Sequence, residues 1–346
     1  MNTPASPDAP RLVAELGERG AIDRILGKLS ASPSRVAVGP GDDAAVVEVE
    51  RGALQVLTTD ALVEGVHFDL RFSSPADVGY KALAVNVSDV AAMGGTPAFA
   101  LLSLMLPTSC TTSTLDGLVD GLLEMAGEAR VTLAGGNITR SPGPLVVDVT
   151  VTGSVRQRRV LRRGGAASGA KLYVSGKIGA AAAGLGWLRA QPTANPIDAP
   201  PAELLDCVQR HRRPVPRYRL GALLGRNKAA SACMDLSDGL ADAVRQIADA
   251  SGTGAMIDAA LLPVDPGAAA WFTSQGLDPV MESVRGGDDY ELLFAVPSKV
   301  KGRLRHVASL VQGVSLTHIG ELTASQSIVL RRDGAESPLP GGFVHF

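Results

Sequence analysis

The sequence predicts a layered α/β protein of two domains, and three observations carry that prediction. At 346 residues the chain is too long for one ordinary hydrophobic core and long enough for two. Segments with helical apolar spacing alternate along it with β-branched runs bounded by turn residues, as layered helices and sheets require. Two short patterns also recur: "NVSDVAAMGG" (86–95) is echoed by "DLSDGLADAV" (235–244), and "GDDAAVVEV" (41–49) by "GDDYELLFAV" (287–296). Each echo sets acidic residues at the junction of a loop and a regular element, which suggests two related halves.

The elements follow in order. "MNTPASPDAP" reads as a tail without the basic and apolar regions of a signal peptide. "LVAELGERGAIDRILGKL" has helical spacing, interrupted near Gly17 and Gly20. Beyond the Gly-Pro-Gly turn, "AAVVEV" and "ALQVLTTDALV" read as strands. "SPADVGYKALAVNVSDVAAMG" reads as a helix, because Ser74 can cap it, Pro75 suits its first turn and Gly94-Gly95 ends it. "FALLSLMLP" is a buried strand, "TTSTLDGLVDGLLEMAGEAR" an amphipathic helix, and "TLAGGN" and "LVVDVTVTGSV" complete a strand-rich first half.

Charge and glycine concentrate near residues 154–166, where a domain boundary is expected. The division is then a tail and helix over 1–28, an N-terminal domain over 29–156, and a C-terminal α/β domain over 157–346. The second half restarts with the strand "KLYVSG" and the helix "GAAAAGLGWLRA", followed by a Pro-rich loop (190–204). After it come "LGALL", the strand-to-helix passage "SACMDLSDGLADAVRQIADASG", the strand "GAMID", and finally "ELLFAVP" and "HIGELT".

Composition excludes several classes of function. The formal charge is −2 and the densest basic run, "RQRRVLRR" (156–163), is short, so no phosphate-tracking stripe for nucleic acid is present. The longest low-charge stretch, "IGAAAAGLGWL" (178–188), is too short and glycine-rich to span a bilayer. Cys110, Cys207 and Cys233 are scattered, with neither a disulfide framework nor zinc spacing, and a cytoplasmic protein is expected. The chain has no G-x-x-x-x-G-K-[ST] loop, no G-x-S-x-G elbow and no protein-kinase signature set, so any ATP site lies outside those schemes.

What remains is a set of aspartates beside turns and small residues: Asp42, Asp43, Asp60, Asp89, Asp235, Asp238, Asp288 and Asp289. Taken singly, each would serve as a turn or cap residue. Several instead close an apolar run, where a side chain projects into the crevice that ligands use in α/β proteins. Hard oxygen donors from several loops suit Mg²⁺ on a polyphosphate, and the absence of His and Cys clusters disfavours a transition metal.

The motifs "GPGDDAAVV", "TTDALVEGVHF", "YKALAVNVSDVAAMGGTP", "LAGGNITR", "MDLSDGLADAV", "GGDDYELLF" and "IGELT" occur in the order and approximate spacing of the thiamine-monophosphate kinase family, from about residue 17 to the terminal "GGFVHF". That family belongs with aminoimidazole ribonucleotide synthetase, selenophosphate synthetase and the hydrogenase-maturation dehydratase. The resemblance implies a two-domain fold with the N-terminal sheets paired in a homodimer and the active site between the domains. It implies transfer of the ATP γ-phosphoryl group to thiamine monophosphate, assisted by several Mg²⁺ ions. It places Asp43, Thr58, Thr59, Asp60, Asp89, Asn137, Asp235 and Asp238 at the metals, and Gly136, Arg163 and Ser237 at the nucleotide. His67, Asp288 and Phe343 fall at the substrate, while Asp42 supports the turn or backs the metal ligands.

The chain departs from the family pattern at three places. Asn137 stands where Gly-Gly-Asp is usual, which predicts weaker metal binding; Asp288 replaces a glutamate; and "MAGEAR" lacks an aromatic found in some members. The sister enzymes fit less well. No cysteine precedes Cys110, as selenophosphate synthetase would need, and the chain ends "GGFVHF" rather than in the dehydratase's cysteine. A nucleotide- or thiamine-phosphate-binding relative without turnover is the alternative of a different class, resting on Asn137 and Asp288.

Overall fold

The computed structural model describes residues 11–29, 35–191 and 199–342. Two compact units emerge: Met1–Val49, Thr58–Asn86 and Ala98–Thr152 make the first, and Glu50–Leu57, Val87–Pro97 and Gly153–Phe346 the second. The sequence division at 156/157 treats each domain as one continuous stretch. The compact units instead assign Glu50–Leu57 and Val87–Pro97 to the second body.

The first half of the chain contains α1 (Val13–Leu26), the short hairpin β1 (Val36–Val38) and β2 (Val46–Val47), β3 (Leu54–Val63), α2 (Pro75–Ala92), β4 (Thr96–Leu106), α3 (Thr112–Ala129), β5 (Thr132–Arg140) and β6 (Val146–Val155). Of the two glycines expected to interrupt α1, only Gly17 leaves helical geometry, at φ 67° and ψ 172°. The strand expected over "AAVVEV" is confined to Val46–Val47.

Local chemistry explains where α2 begins. Ser74 Oγ accepts the Asp77 N–H at 3.1 Å while the Asp77 carboxylate accepts the Ser74 N–H at 3.1 Å, a reciprocal cap ahead of Pro75. α2 and α3 approach closely because glycine faces backbone on both sides. A Cβ on Gly79 would lie 1.8 Å from the Leu118 carbonyl oxygen, and one on Gly121 would lie 1.8 Å from that of Ala76.

Strands β3, β6, β4 and β5 form a four-stranded sheet in that order, with β4 and β5 parallel. Alternation sorts its side chains: Leu102, Leu104 and Leu106 of β4 and Val147, Val149 and Val151 of β6 are buried, whereas Leu57 of β3 and Leu101 of β4 are exposed.

The second half contains β7 (Lys171–Ser175), α4 (Ala180–Ala190), α5 (Leu205–Arg212), α6 (Tyr218–Asn227), β8 (Ala232–Asp235), α7 (Leu240–Ser251), β9 (Gly254–Asp258), α8 (Pro266–Ser274), α9 (Pro279–Arg285), β10 (Leu292–Val296), α10 (Lys301–Leu310), β11 (Leu316–Thr323), β12 (Ile328–Arg332) and β13 (Ala335–Pro338). Its seven-stranded sheet runs β13-β12-β9-β11-β7-β10-β8, with β12 and β9 parallel and the other pairs antiparallel.

Both faces of the inner strands are covered. Leu293 and Ala295 of β10 join a core that includes Val244 and Ile247 of α7, while Leu292, Phe294 and Val296 join one that includes Leu220 of α6 and Leu304 of α10. A strand buried on both faces reads as a continuous apolar run, as "LLFAV" does. The fold is thus the mixed α/β two-domain architecture that the sequence predicts, with predominantly antiparallel pairing in the larger sheet. Among the described residues no helix is long and apolar enough to cross a membrane.

Candidate active site

In the first unit the acidic turn carries Asp42 and Asp43, both exposed, and the Asp43 N–H donates to Asp42 Oδ1 at 2.8 Å. Asp42 therefore shapes the turn, as expected, and leaves the Asp43 carboxylate facing outward. Thr58, Thr59 and Asp60 are consecutive in β3, so Thr59 points to the opposite face from its neighbours. Its hydroxyl contacts Asp148 Oδ1 at 3.0 Å and Thr150 Oγ1 at 3.0 Å on β6. Thr58 and Asp60 thus share one face of the strand, and the Thr59 side chain lies on the other.

His67 follows β3 in a turn. Its Nδ1 accepts the Val63 N–H at 3.1 Å, which places the proton of a neutral imidazole on Nε2 and makes that nitrogen a donor. Lys81, only 3% exposed in α2, donates to the His67 carbonyl at 3.4 Å. On β5, Gly136 and Asn137 lie in register with Leu102 and Ser103. A Cβ on Gly136 would stand 1.9 Å from the Leu102 carbonyl oxygen, so packing alone demands glycine there, whatever it binds.

The second unit gathers the other motifs. From Val78 to Ala92, α2 is buried at every position except Asp89, which is half-buried. An all-round buried helix that opens at a single acid marks that acid as having another task. One residue earlier, Ser88 Oγ donates to Asp235 Oδ2 at 2.7 Å, at the end of β8. Asp235 is 3% exposed. Burial, then the Asp89 charge, push its carboxyl well above the usual range; the Ser88 hydroxyl and the Arg163 charge oppose them. Arg163 itself is oriented by α7, since its guanidinium donates to Gln246 Oε1 and Gln246 Nε2 in turn donates to Asp242 Oδ2.

The loops "DLSDG" and "GGDDYE" are zipped backbone to backbone. Asp288 N donates to the Ser237 carbonyl at 2.7 Å, Tyr290 N to that of Leu236 at 3.0 Å, and Leu236 N to that of Glu291 at 2.8 Å. The approach is close enough that a Cβ on Gly287 would lie 2.5 Å from the Ser237 oxygen. This sets Ser237 and Asp238, both half-buried, beside Asp288.

The two acids that follow Asp288 are structural. Asp289 caps α4 from a distance, accepting the N–H groups of Gly179 at 2.8 Å and Ala181 at 3.3 Å. Burial pushes its carboxyl up to about 8 despite those donors. Glu291 is 2% exposed and accepts from Nε and Nη2 of Arg217 and from the Ser175 hydroxyl. Gly342 packs against the Asp238 carbonyl, and Phe343 lies outside the described residues.

Sequence reasoning assigned no role to Ser88 or His211. Ser88 was detectable as a hydroxyl beside an acid in a run otherwise rich in Ala and Val. His211 sits in the basic run "RHRR", which offers no periodic signal.

The donor set fits a divalent cation of the magnesium type. Asp89 and Asp235 are close enough for one charge to disfavour the other, and such a pair calls for a cation. Among the described residues no three His, Cys, Asp or Glu side chains form a ready-made metal group.

Comparison with known proteins now fixes the class. Residues 41–155 match the N-terminal domain of the AIR synthase related proteins and residues 167–333 their C-terminal domain, so both halves of this architecture are present in order. The thiamine-monophosphate kinase of Escherichia coli K12 is 38% identical over 335 residues, covering 95% of this chain and 98% of that protein. The thiamine-monophosphate kinase structure from Stenotrophomonas maltophilia is 34% identical, with a TM-score of 0.80 over 91% of this chain and 96% of the other. AaThiL complexed with AMPPCP and TMP is 33% identical, with a TM-score of 0.75 over 96% and 98%. The chain belongs to the thiamine-monophosphate kinase family.

Proposed function

We propose that this protein transfers the γ-phosphoryl group of ATP to thiamine monophosphate, giving thiamine diphosphate and ADP. The Ser88–Asp235 hydrogen bond beside half-buried Asp89 carries the reading. It ties Asp235, at the end of a buried strand, to the residue next to Asp89, in a place where a structural acid would be disfavoured. Relatives of this similarity named as thiamine-monophosphate kinases, and AaThiL complexed with AMPPCP and TMP, support the choice of substrates.

The chemistry needs no strong base. The attacking atom is a phosphate oxygen, already anionic at neutral pH, so the barrier lies in bringing two anions together in line. Mg²⁺ supplies the charge compensation and orientation for that approach. In the first unit Asp43, Thr58, Asp60 and Asn137, with the Thr59 carbonyl, are the residues we assign to metal; in the second they are Asp89, Asp235 and Asp238. Gly136, Arg163 and Ser237 serve the nucleotide, Arg163 through a guanidinium already aimed by Gln246. His67 offers an Nε2–H to the substrate, and Phe343 is assigned by resemblance alone. Asp288, being anionic, suits the cationic thiazolium ring and would repel the phosphate.

The exposed side chains of Leu57 (67%) and Leu101 (42%) on the four-stranded sheet support the homodimer, since apolar side chains on an open sheet face call for a cover. Three free cysteines, all buried, agree with a reducing cytosol. Incubation with ATP, Mg²⁺ and thiamine monophosphate, followed by chromatography, tests the activity: thiamine diphosphate must form, and free thiamine must give none. Binding of both ligands without product would instead establish a non-catalytic relative.

A further inference from the structure

We propose that His211 is a positioning residue for the substrate, acting through the Asp288 carboxylate; this rests on Asp288 as the substrate contact. His211 lies in the last turn of α5 and is 3% exposed, with Nδ1 3.4 Å from Asp288 Oδ2. Asp288 keeps 31% of its side chain exposed, so the carboxylate is open on one side and backed by the imidazole on the other. Its second oxygen, Oδ1, accepts the Tyr290 hydroxyl at 3.2 Å. Each oxygen thus has a polar group of the protein nearby, without the carboxylate being closed to a ligand.

The backbone reinforces this. Asp288 and Tyr290 have φ of 68° and 48°, left-handed conformations that residues with a Cβ rarely adopt. Such geometry persists where the surroundings over-determine it, here through the carbonyls of Ser237 and Leu236. Arg217 is spent on Glu291, and the Asp289 carboxylate on the N-terminus of α4. A basic group at the C-terminal end of α5 is favoured as a donor, and His211 directs that donor at Asp288. At 3.4 Å the contact is longer than an ideal hydrogen bond, and contacts of this kind tighten when the substrate is seated.

Two amide substitutions separate positioning from packing. Asn places its amide nitrogen where imidazole has Nδ1, whereas Gln places it nearer Nε2. His211→Gln should raise the KM for thiamine monophosphate about tenfold, the effect of losing a hydrogen bond to a charged group. The KM for ATP should stay within about twofold, and His211→Asn should restore the substrate KM. The control is Asp288→Asn, which should raise the same KM, with His211→Gln adding nothing on that background. If both amide variants raise KM alike, or if the KM values for ATP and substrate rise together, His211 is a packing residue and the inference fails. If Asp288→Asn raises the substrate KM and His211→Gln does not, positioning alone fails. If Asp288→Asn leaves that KM unchanged, the substrate contact itself is wrong, and the inference falls with it.

Discussion

Ser88 donates its hydroxyl hydrogen to Asp235 Oδ2 at 2.7 Å, joining two acidic motifs 147 positions apart in the sequence. The bond favours the ionised carboxylate against its own burial. Ser88→Ala should therefore reduce stability by about 2 kcal/mol, the worth of a hydrogen bond to a charged group. It should also raise the Mg²⁺ concentration needed for half-maximal rate. Denaturant unfolding and a Mg²⁺ titration of the rate check both; an unchanged Mg²⁺ requirement would make the bond purely structural.

Asp89 is the single opening in an otherwise buried stretch of α2, and its charge works against that of Asp235. Asp89→Asn should lower kcat by at least about a hundredfold, since a group engaged with the reacting phosphates is lost. The fold should become more stable by up to about 1 kcal/mol, because a like-charge repulsion disappears. Loss of both activity and stability would mark Asp89 as a structural acid.

Asn137 offers a neutral oxygen where the family resemblance leads one to expect a carboxylate. Asn137→Asp should reduce the Mg²⁺ requirement several-fold, about tenfold if the restored charge acts as a direct ligand. Steady-state rates across a Mg²⁺ series measure it, and no change would remove Asn137 from the metal set.

Asp289 predicts a pH dependence with a definite sign. Its carboxyl is raised by burial from the ordinary 3.8 to about 8, so the folded protein keeps a proton that the unfolded chain releases. The native state binds more protons, and stability from this group declines as pH climbs from about 4 to about 8. Asp289→Asn removes that decline. The stability difference between variant and parent should tilt toward the variant as pH climbs through this window, as read by urea unfolding. Parallel curves would show that Asp289 is ionised throughout.

Much of this was legible in the sequence, for identifiable reasons. Ser74 and Pro75 announced the start of α2, and the apolar run after "GDD" at 287–289 announced a strand. The helices α8 and α9 were not anticipated, although Asp265-Pro266 and Asp278-Pro279 are each an N-cap followed by proline at the first helical position. Those signals were local and present, but short helices lack the length for periodicity to speak. The candidate site was legible as motifs and not as geometry. Strand alternation, which turns Thr59 away from Asp60, was implicit in "TTD". The partnership of His211 with Asp288 was not, since nothing local relates a basic helix end to a loop so far along the chain.

The destination of the γ-phosphoryl group tests the central claim most directly. With [γ-³²P]ATP, Mg²⁺ and thiamine monophosphate, the label should appear in the terminal phosphate of thiamine diphosphate, matched one to one by ADP and absent from the Asp89→Asn variant. Label released only as inorganic phosphate, with thiamine monophosphate unchanged, would contradict the account.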